Sequence, residues 1–350
     1  MVTRDWGFDV GRDLLCVADA GGRFTSLNRA WERVLGWSRE ELMSRPFMEF
    51  VHPDDVTATI AAASNLNTAD YELAEFENRY RTPTGEYRWL HWSARSDGET
   101  WFAVAFDVTE RREREEELRL MLREDRLLAY SQPILDQRRL KITHEELLAR
   151  MRGRRNGEVM LPGTFVPDAE RLGLIGIVDC WMLHRALEVA ASGRTATVNL
   201  SADSIGDPTI QDEMCAAVEA SNGGARHLIL EITETAAVAH LDAALDLTAR
   251  LEPLGCRFAL DDFGTGYGSL TYLRRLPVQF LKIDTSFVRR VTRNRDDQAL
   301  VRSVVAIASE LGLRTVAEGV EDGPTFQLLR EYSVDHVQGY LIGRPEPVMN

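Results

Sequence analysis

The hydrophobic and polar positions of the chain follow two different patterns, and the change lies near residue 127. From residue 6 to residue 109, short apolar runs alternate with turn signals, as in the runs 14–18 and 24–27 on either side of the turn 19–22. Such runs predict a small antiparallel sheet with helices to one side, which is an α+β domain.

The second pattern, from residue 127 to residue 350, alternates short apolar strands with amphipathic helices. One unit consists of a helix, a glycine cap at Gly312 and a strand over residues 313–317. The apolar side of that helix is formed by Leu300, Val301, Val304, Val305, Ala308 and Leu311. Repetition of this unit over about 220 residues predicts a TIM-like (β/α)8 barrel.

A charged segment, residues 110–126, separates the two patterns. It interleaves Glu and Arg at helical spacing and carries a thin apolar seam of Leu118, Met121 and Leu122. Opposite charges at this spacing support an exposed helix. We therefore predict a solvated helical linker whose seam is a candidate for dimerisation.

Composition and charge narrow the function classes. The chain has 350 residues and a net charge of −14, which argues against binding to DNA, RNA or an anionic membrane. No apolar run approaches the length of a membrane-spanning helix, so a soluble cytoplasmic protein is expected. The four cysteines lie far apart without a CxxC motif, and no zinc site is expected from Cys16, Cys180, Cys215 and Cys256.

Two adjacent carboxylates, Asp261 and Asp262, stand where a short apolar strand over residues 258–260 meets a glycine-rich loop. Neighbouring side chains on a strand point to opposite faces, so an inward Asp261 directs Asp262 towards the loop or a second ion. An Asp-Asp pair that caps a turn would look the same in isolation. The choice between the two readings depends on the other strands.

Polar side chains follow nearly every predicted strand of the second domain. In chain order they are Gln132, Glu146, Asn199, Glu231, Asp261, Lys282, Glu318 and Gln338. A barrel brings these strand ends together on the face where active sites are built. Several of them are hard oxygen donors, which suit two Mg2+ or Mn2+ ions rather than zinc. The candidate ligands are Glu146, Asn199, Glu231 and Asp261, with Asp262 for the second ion.

Three further side chains suggest chemistry on a phosphoester. Lys282 can neutralise developing charge, and Glu318 is a candidate general base. Arg150 offers a forked donor that fits a phosphate. On these residues alone, a Mg2+-dependent barrel enzyme that acts on another phosphoester or on an enolate fits equally well.

Six short motifs follow one another along the first domain, at residues 19–22, 28–31, 35–37, 51–55, 84–89 and 107–111. In this order and spacing they resemble a PAS sensor domain. His52 and Cys16 are candidates for a haem ligand and a flavin-reactive thiol, but structural roles are favoured for both. The ligand of the sensor is left open.

Eight motifs span the second domain: ELLAR at 146–150, PGTFVP at 162–167, VNLS at 198–201, EITE at 231–234, DDFGTG at 261–266, LKID at 281–284, AEGVE at 317–321 and QGY at 338–340. They resemble the EAL-domain cyclic diguanylate phosphodiesterases. The resemblance implies a two-metal hydrolase that opens cyclic diguanylate to the linear dinucleotide under control of the sensor, and that acts as a homodimer. The alternative is a catalytically silent receptor for the same nucleotide.

The resemblance also implies roles for individual residues. Lys282 and Glu318 would handle the attacking water, and Glu234 would anchor the loop 263–269. The implied metal ligands are Glu146, Asn199, Glu231, Asp261 and Asp262. The implied substrate contacts are Gln132, Leu148, Arg150 and Gln338. Leu147 stands where the name-giving motif has alanine, a change without chemical consequence.

Overall fold

A computed structural model describes residues 8–9, 11–66, 72–153, 157–221, 223–264 and 273–348. The chain divides into two compact units, Met1–Glu117 and Leu118–Asn350. Each unit is described by itself below. None of the helices in these ranges combines the length and the apolar character needed to cross a membrane.

The N-terminal unit contains an antiparallel sheet of five described strands in the order β2-β1-β5-β4-β3. The strands are β1 (Leu14–Asp19), β2 (Phe24–Leu27), β3 (Glu72–Arg81), β4 (Tyr87–Ser96) and β5 (Thr100–Asp107). The helices of this unit are Ala30–Leu35, Arg39–Ser44 and Val56–Asn65, with 3-10 turns at Phe47–Phe50 and Pro53–Asp55. Side chains along the strands alternate between buried and more exposed, and the buried face of the sheet packs into a core that includes Trp31, Tyr80 and Trp92. The predicted α+β class is therefore confirmed.

His52 and Cys16, the two residues considered as cofactor ligands, both make contacts that are typical of structural residues. The His52 ring accepts a hydrogen bond from the Asp54 amide at 3.2 Å and packs edge-on against Tyr87. Burial raises the pKa of the Cys16 thiol to about 12, so this thiol stays protonated. Cys16 lines a cavity of about 60 Å3 in the core of the unit, which is far smaller than a haem or a flavin.

The charged segment forms a helix, Thr109–Arg123. In the N-terminal unit, Arg111 and Arg112 both pair with Glu77. In the C-terminal unit, Leu118 and Met121 are only 2% and 3% exposed and belong to the barrel's hydrophobic core. The expectation of a solvated seam free for dimerisation is wrong, because the seam residues are used to cover the barrel.

The C-terminal unit is a closed barrel of eight described strands, with two short strands added at its edges. The ring follows the order β6 (Leu127–Asp136), β14 (His336–Gln338), β13 (Arg314–Ala317), β12 (Phe280–Ile283), β11 (Arg257–Phe263), β10 (Leu228–Thr233), β9 (Ala196–Leu200) and β7 (Lys141–Arg152). The added strands are β8 (Val159–Met160) and β15 (Glu346–Pro347). Its helices are Pro162–Arg171, Ile175–Ala191, Ala202–Gly206, Pro208–Glu219, Glu234–Ala239, Leu241–Leu251, Thr285–Val288, Arg295–Glu310 and Gly323–Glu331. The predicted barrel is confirmed.

The first barrel strand departs from the repeating strand-helix unit. Strand β6 runs antiparallel to both of its neighbours, β7 and β14. It joins β7 through a tight turn in which the Asp136 carboxylate accepts the amides of Arg138 and Arg139 and Leu140 has a positive φ of 51°. A turn this short permits only an antiparallel pair, because a parallel pair needs a crossover of a dozen or more residues.

Side chains fill the barrel interior in two layers. The upper layer contains the polar residues singled out from the sequence, and the lower layer lies two residues away along each strand, as pleating requires. The lower layer consists of Ile134, His144, Thr197, Ile229, Ala259, Phe280, Val316 and His336, all buried. Five of them form one apolar cluster under the polar layer. On β6 the lower-layer residue comes after the upper-layer residue Gln132 in the chain. On the other strands the lower-layer residue comes first. This difference fits the reversed direction of β6.

Candidate active site

Lys282 lies at the centre of the polar layer. Its ammonium contacts the carboxylates of Glu318 at 2.5 Å, Glu231 at 2.6 Å and Asp261 at 3.1 Å, and Glu146 at 3.8 Å. The lysine is 1% exposed and Glu231 is equally buried. Carboxylates that lie on three strands, and one that directly follows a fourth strand, therefore converge on a single cation.

This group carries more negative than positive charge, and the pKa values reflect it. Burial, with the neighbouring carboxylates of Glu146 and Asp261, raises the pKa of Glu231 well above its usual range despite the adjacent lysine. Burial likewise raises the pKa of Glu318 to about 8. Burial works against the charge of Lys282, but the surrounding carboxylates outweigh it and keep the pKa of that ammonium high. The site has an excess of buried negative charge that a divalent cation would relieve.

Glu146 is held by two amides. The Asn199 side chain donates to its Oε1 at 2.7 Å, and the Gln338 side chain donates to its Oε2 at 2.6 Å. Because Asn199 uses its nitrogen here, its carbonyl oxygen is the atom left to serve as a ligand. Glu146 lies in the middle of β7 and Gln132 in the middle of β6, not at strand ends as the sequence pattern indicates, because both strands are longer than predicted.

The adjacent aspartates differ in backbone conformation. Asp262 has a positive φ of 57°, which interrupts the register between β11 and β12, and its amide donates to the Asp261 carboxylate at 2.8 Å. Burial raises the pKa of Asp262, and the charges of Asp261 and Asp284 add to the effect. The strand extends to Phe263, three residues beyond the predicted end.

Glu234 lies at the start of the helix that follows β10 and is buried. Its carboxylate accepts the amide of Gly264 at 3.1 Å, at the beginning of the loop that it is predicted to anchor. Residues 265–269 of that loop lie outside the described residues. Of the predicted contacts between Glu234 and this loop, the structure therefore describes only the one at Gly264.

An open cavity of about 250 Å3 lies over the polar layer. Its lining includes Gln132, Glu146, Leu148, Asp261, Thr285, Arg289, Glu318, Glu321, Gln338 and Tyr340. Arg150 is not in this lining. Its guanidinium lies 5.5 Å from the centre of the Tyr130 ring and donates to the Ala149 carbonyl at 2.7 Å.

A second cavity, of about 290 Å3, adjoins the first and shares Leu148 with it. Its lining is mostly apolar and also includes Asn199 and two carboxylates, Asp179 and Glu170. Burial raises the pKa of both carboxylates. Asp179 was not singled out from the sequence, although a carboxylate on the buried face of the helix Ile175–Ala191 is an available signal, since such positions are almost always apolar.

The donor set fits a hard divalent cation. Among the described residues, no group of three or more His, Cys, Asp and Glu side chains is arranged to hold a metal ion, and the Lys282 ammonium gathers the carboxylate oxygens instead. The candidate ligand atoms are nevertheless all oxygens. Four carboxylates surround the Lys282 ammonium, so its single positive charge cannot balance them all. Oxygen-rich, carboxylate-rich sets of this kind suit Mg2+ and Mn2+.

Comparison with known proteins identifies the barrel. The family description "EAL domain" matches residues 115–345, about two thirds of the chain. The chain belongs to the EAL domain family. The EAL region is similar to the cyclic di-GMP phosphodiesterase NbdA of Pseudomonas aeruginosa, with 39% identity over 248 residues, 69% of this chain and 32% of that protein. It is also similar to the cyclic di-GMP phosphodiesterase PdeF of Escherichia coli, with 32% identity over 67% of this chain and 32% of that protein.

Solved EAL structures agree with this assignment. The PaMucR phosphodiesterase in complex with c-di-GMP has a TM-score of 0.64 and 34% identity, over 67% of this chain and 98% of that one. The FimX EAL domain from Pseudomonas aeruginosa bound to c-di-GMP has a TM-score of 0.63 and 26% identity, over 68% and 98%. The description "PAS fold" matches residues 24–101, so the resemblance of the first domain is confirmed as well. The chain spans about a third of the length of the two curated relatives.

Proposed function

We propose that the protein hydrolyses cyclic di-GMP to linear pGpG in a reaction that depends on a divalent metal, and that the PAS domain sets the rate. The observation that carries the proposal is the excess of buried carboxylates around Lys282, on the same barrel face as a cavity for the substrate. Its relatives named as cyclic di-GMP phosphodiesterases support the choice of substrate.

The proposed ligands of Mg2+ or Mn2+ are Glu146, Asn199, Glu231, Asp261 and Asp262. Bound there, two such ions would lower the pKa of a water molecule and stabilise the charge on the phosphodiester. The residues of the chain then have separable tasks. Glu146 and Asn199 already have fixed orientations through their mutual hydrogen bond.

Glu318 is the proposed acceptor of the proton from the attacking water. Burial raises the pKa of its carboxylate to about 8, so the ionised carboxylate is a stronger base than that of an ordinary glutamate. Lys282 keeps its ammonium 2.5 Å from Oε1 of Glu318 and is placed to offset the charge that develops in the transition state.

The two adjoining cavities suit the two halves of a dinucleotide. Guanine presents N–H donors on its edge, and Asp179 and Glu170 offer carboxylate acceptors in the second cavity. Leu148, which lies at the junction of the cavities, is proposed to contact the sugar-phosphate ring between the bases. The Ala149 carbonyl engages only Nη1 of Arg150, so we propose that the remaining N–H groups of its guanidinium fork onto a phosphate.

Incubation of the protein with cyclic di-GMP and Mg2+ or Mn2+, with the products separated by chromatography, tests the proposal. Linear pGpG is the expected product. Glu146→Ala should reduce turnover at least 100-fold, since it removes a metal ligand. Glu145→Ala is the matched control, because this neighbour faces away from the layer and pairs with Arg194. Tight nucleotide binding without product in either ion, both by the full chain and by a chain without residues 1–109, would replace this proposal with the silent receptor.

A further inference from the structure

The family resemblance implies that Gln132 and Gln338 contact the substrate. In the structure, the two side chains instead form a hydrogen bond with each other, and Gln338 forms another with Glu146. The Gln338 nitrogen donates both to Oε2 of Glu146 at 2.6 Å and to the Gln132 oxygen at 3.0 Å. The Gln132 nitrogen in turn donates to the Gly343 carbonyl at 3.0 Å. Both glutamines are more than nine-tenths buried.

We infer that these residues form a positioning relay for Glu146, and that Gln338, whose two amide N–H groups are both used within the relay, does not bind the nucleotide through its amide nitrogen. The inference rests on the proposed function, because the purpose of the relay is to orient a metal ligand. A backbone carbonyl can only accept, so Gly343 forces the nitrogen of Gln132 towards itself. The Gln132 oxygen then faces Gln338, and that side chain must turn its nitrogen, not its oxygen, to the carboxylate.

The backbone around Gln338 is fixed by close packing. Its carbonyl accepts the Val320 amide at 2.9 Å, and a Cβ on Gly339, which has a φ of 154°, would lie 2.2 Å from the Val320 carbonyl oxygen. Glycine is therefore required at residue 339. The two segments meet so closely that the Gln338 side chain starts from an immobile point, as a positioning residue requires.

The remaining polar atom of the pair is consistent with this assignment. The Gln338 oxygen is buried and has no hydrogen-bond partner within the described part of the chain. Leaving a buried carbonyl without a partner is unfavourable. The Gln338 amide keeps this orientation because its nitrogen donates a hydrogen bond to the Glu146 carboxylate. A hydrogen bond to a charged group is about twice as strong as one between neutral groups.

Calorimetric titration with Mn2+, in the absence of nucleotide, separates a relay from a substrate contact. Outer residues that orient a ligand typically change metal affinity about 10–100-fold when they are removed. We expect Gln338→Leu to weaken Mn2+ binding by this factor and Gln132→Leu to weaken it less, since Gln132 acts through its partner. The double variant should bind Mn2+ no more weakly than Gln338→Leu alone. Tyr340→Leu, on the rim of the same cavity, is the control and should leave Mn2+ affinity unchanged.

Unchanged Mn2+ affinity in Gln338→Leu and Gln132→Leu, with a raised KM for cyclic di-GMP, would overturn the relay and restore the role of substrate contact. Circular dichroism checks the fold of each variant, and if Gln338→Leu does not fold, Gln132→Leu decides alone. A wild-type protein that binds cyclic di-GMP but no Mn2+ would instead refute the metal dependence in the proposed function. The two failures are therefore distinguishable.

Discussion

Lys282 and the carboxylates around it form a group whose members depend on each other for stability. A buried ion pair contributes little net stability, but removal of one partner leaves a buried charge without compensation. Three carboxylates face the single ammonium within 3.1 Å. The lysine therefore has a structural role in the absence of metal, in addition to any role in turnover.

Lys282→Met should destabilise the metal-free protein by about 3–5 kcal/mol, because Glu231 and Asp261 lose their counter-charge. Mn2+ should restore part of the loss, since it supplies the missing positive charge. Urea unfolding in EDTA and in Mn2+ measures both effects. Lys141→Met is a well-matched control, because Lys141 is the chain's other lysine and is exposed. Equal destabilisation by the two substitutions would refute the role given to Lys282.

His144, in the layer below, should make the protein sensitive to acid. Burial lowers the pKa of His144 to about 3, and the nearby charges of Arg257 and Lys282 act in the same direction. Between pH 6.5 and pH 3 the unfolded chain then binds a proton that the folded chain does not. Stability is lost as pH falls through this window, by at most about 1.4 kcal/mol per pH unit.

His144→Phe should remove this component while keeping ring contacts with Phe280 and His336. Urea midpoints in EDTA at intervals from pH 7 to pH 4 should therefore fall less steeply for the variant than for the wild type. Parallel curves would show that His144 does not bind the extra proton on unfolding.

At this scale, much of the site could be predicted from the sequence. A polar residue two positions along from a buried apolar one, repeated on successive strands, places Glu231 above Ile229 and Asp261 above Ala259. The hydrogen bonds could not be predicted in this way. Whether the Gln338 amide faces the substrate or Glu146 depends on the Gly343 carbonyl, which lies more than 200 residues from Gln132 in the chain. The catalytic roles themselves stay predictions.

Among the elements, β11 combines a regular ladder with one irregular residue. The left-handed conformation of Asp262 is unfavourable for most side chains, and Asn and Asp tolerate it best after glycine. Asp262 is also a half-buried carboxyl group beside another carboxylate. The irregularity and the repulsion both make aspartate an energetically costly residue at this position.

Substitutions at residue 262 should separate these two effects. Asp262→Asn keeps a side chain suited to the left-handed region and removes the repulsion, so stability in EDTA should be equal or higher. Asp262→Val should be less stable than Asp262→Asn by about 1–2 kcal/mol because of its branched Cβ. Both should lose turnover of cyclic di-GMP. Urea unfolding and product chromatography provide the two measurements, and full turnover by Asp262→Val, which has no donor atom in its side chain, would exclude a ligand role.

The strand order of the barrel could be predicted from periodicity, but not the direction of β6. Apolar alternation is the same for a strand that runs up or down. The deciding feature is the short turn 137–140, in which Asp136 caps two amides and Leu140 takes a positive φ. The pattern over residues 110–126 wrongly predicted a solvated seam, for a related reason. Its charges are those of an exposed helix, whereas the partner that covers Leu118 and Met121 is remote in sequence.

For the molecule as a whole, the helix Thr109–Arg123 changes where the EAL barrel begins. The core of the C-terminal unit includes Leu118 and Met121, and the Asp125 carboxylate accepts a hydrogen bond from the Trp181 indole at 3.2 Å. A barrel that began at residue 127 would lack all three contacts. The described unit begins at Leu118, which is nine residues earlier than the boundary drawn from the sequence.

A fragment of residues 127–350 should be less stable than a fragment of residues 118–350 by about 3–5 kcal/mol, since two large apolar side chains lose their burial. Urea unfolding of both in the same buffer checks this. Similar stabilities would mean that the helix is dispensable for the barrel. The turnover of the longer fragment, compared with that of the full chain, then reports the proposed control by the PAS domain, and equal rates would argue against that control.

The position of Lys282 has a practical consequence for chemical labelling. Amine-directed reagents require an accessible, neutral amine, and this one is 1% exposed and held as an ammonium among carboxylates. Lys141, at the opposite end of the barrel from the cavity, is then the one lysine open to such reagents in the folded protein. A dye or a surface anchor attached through a lysine would sit at a single known point, with the mouth of the barrel left clear.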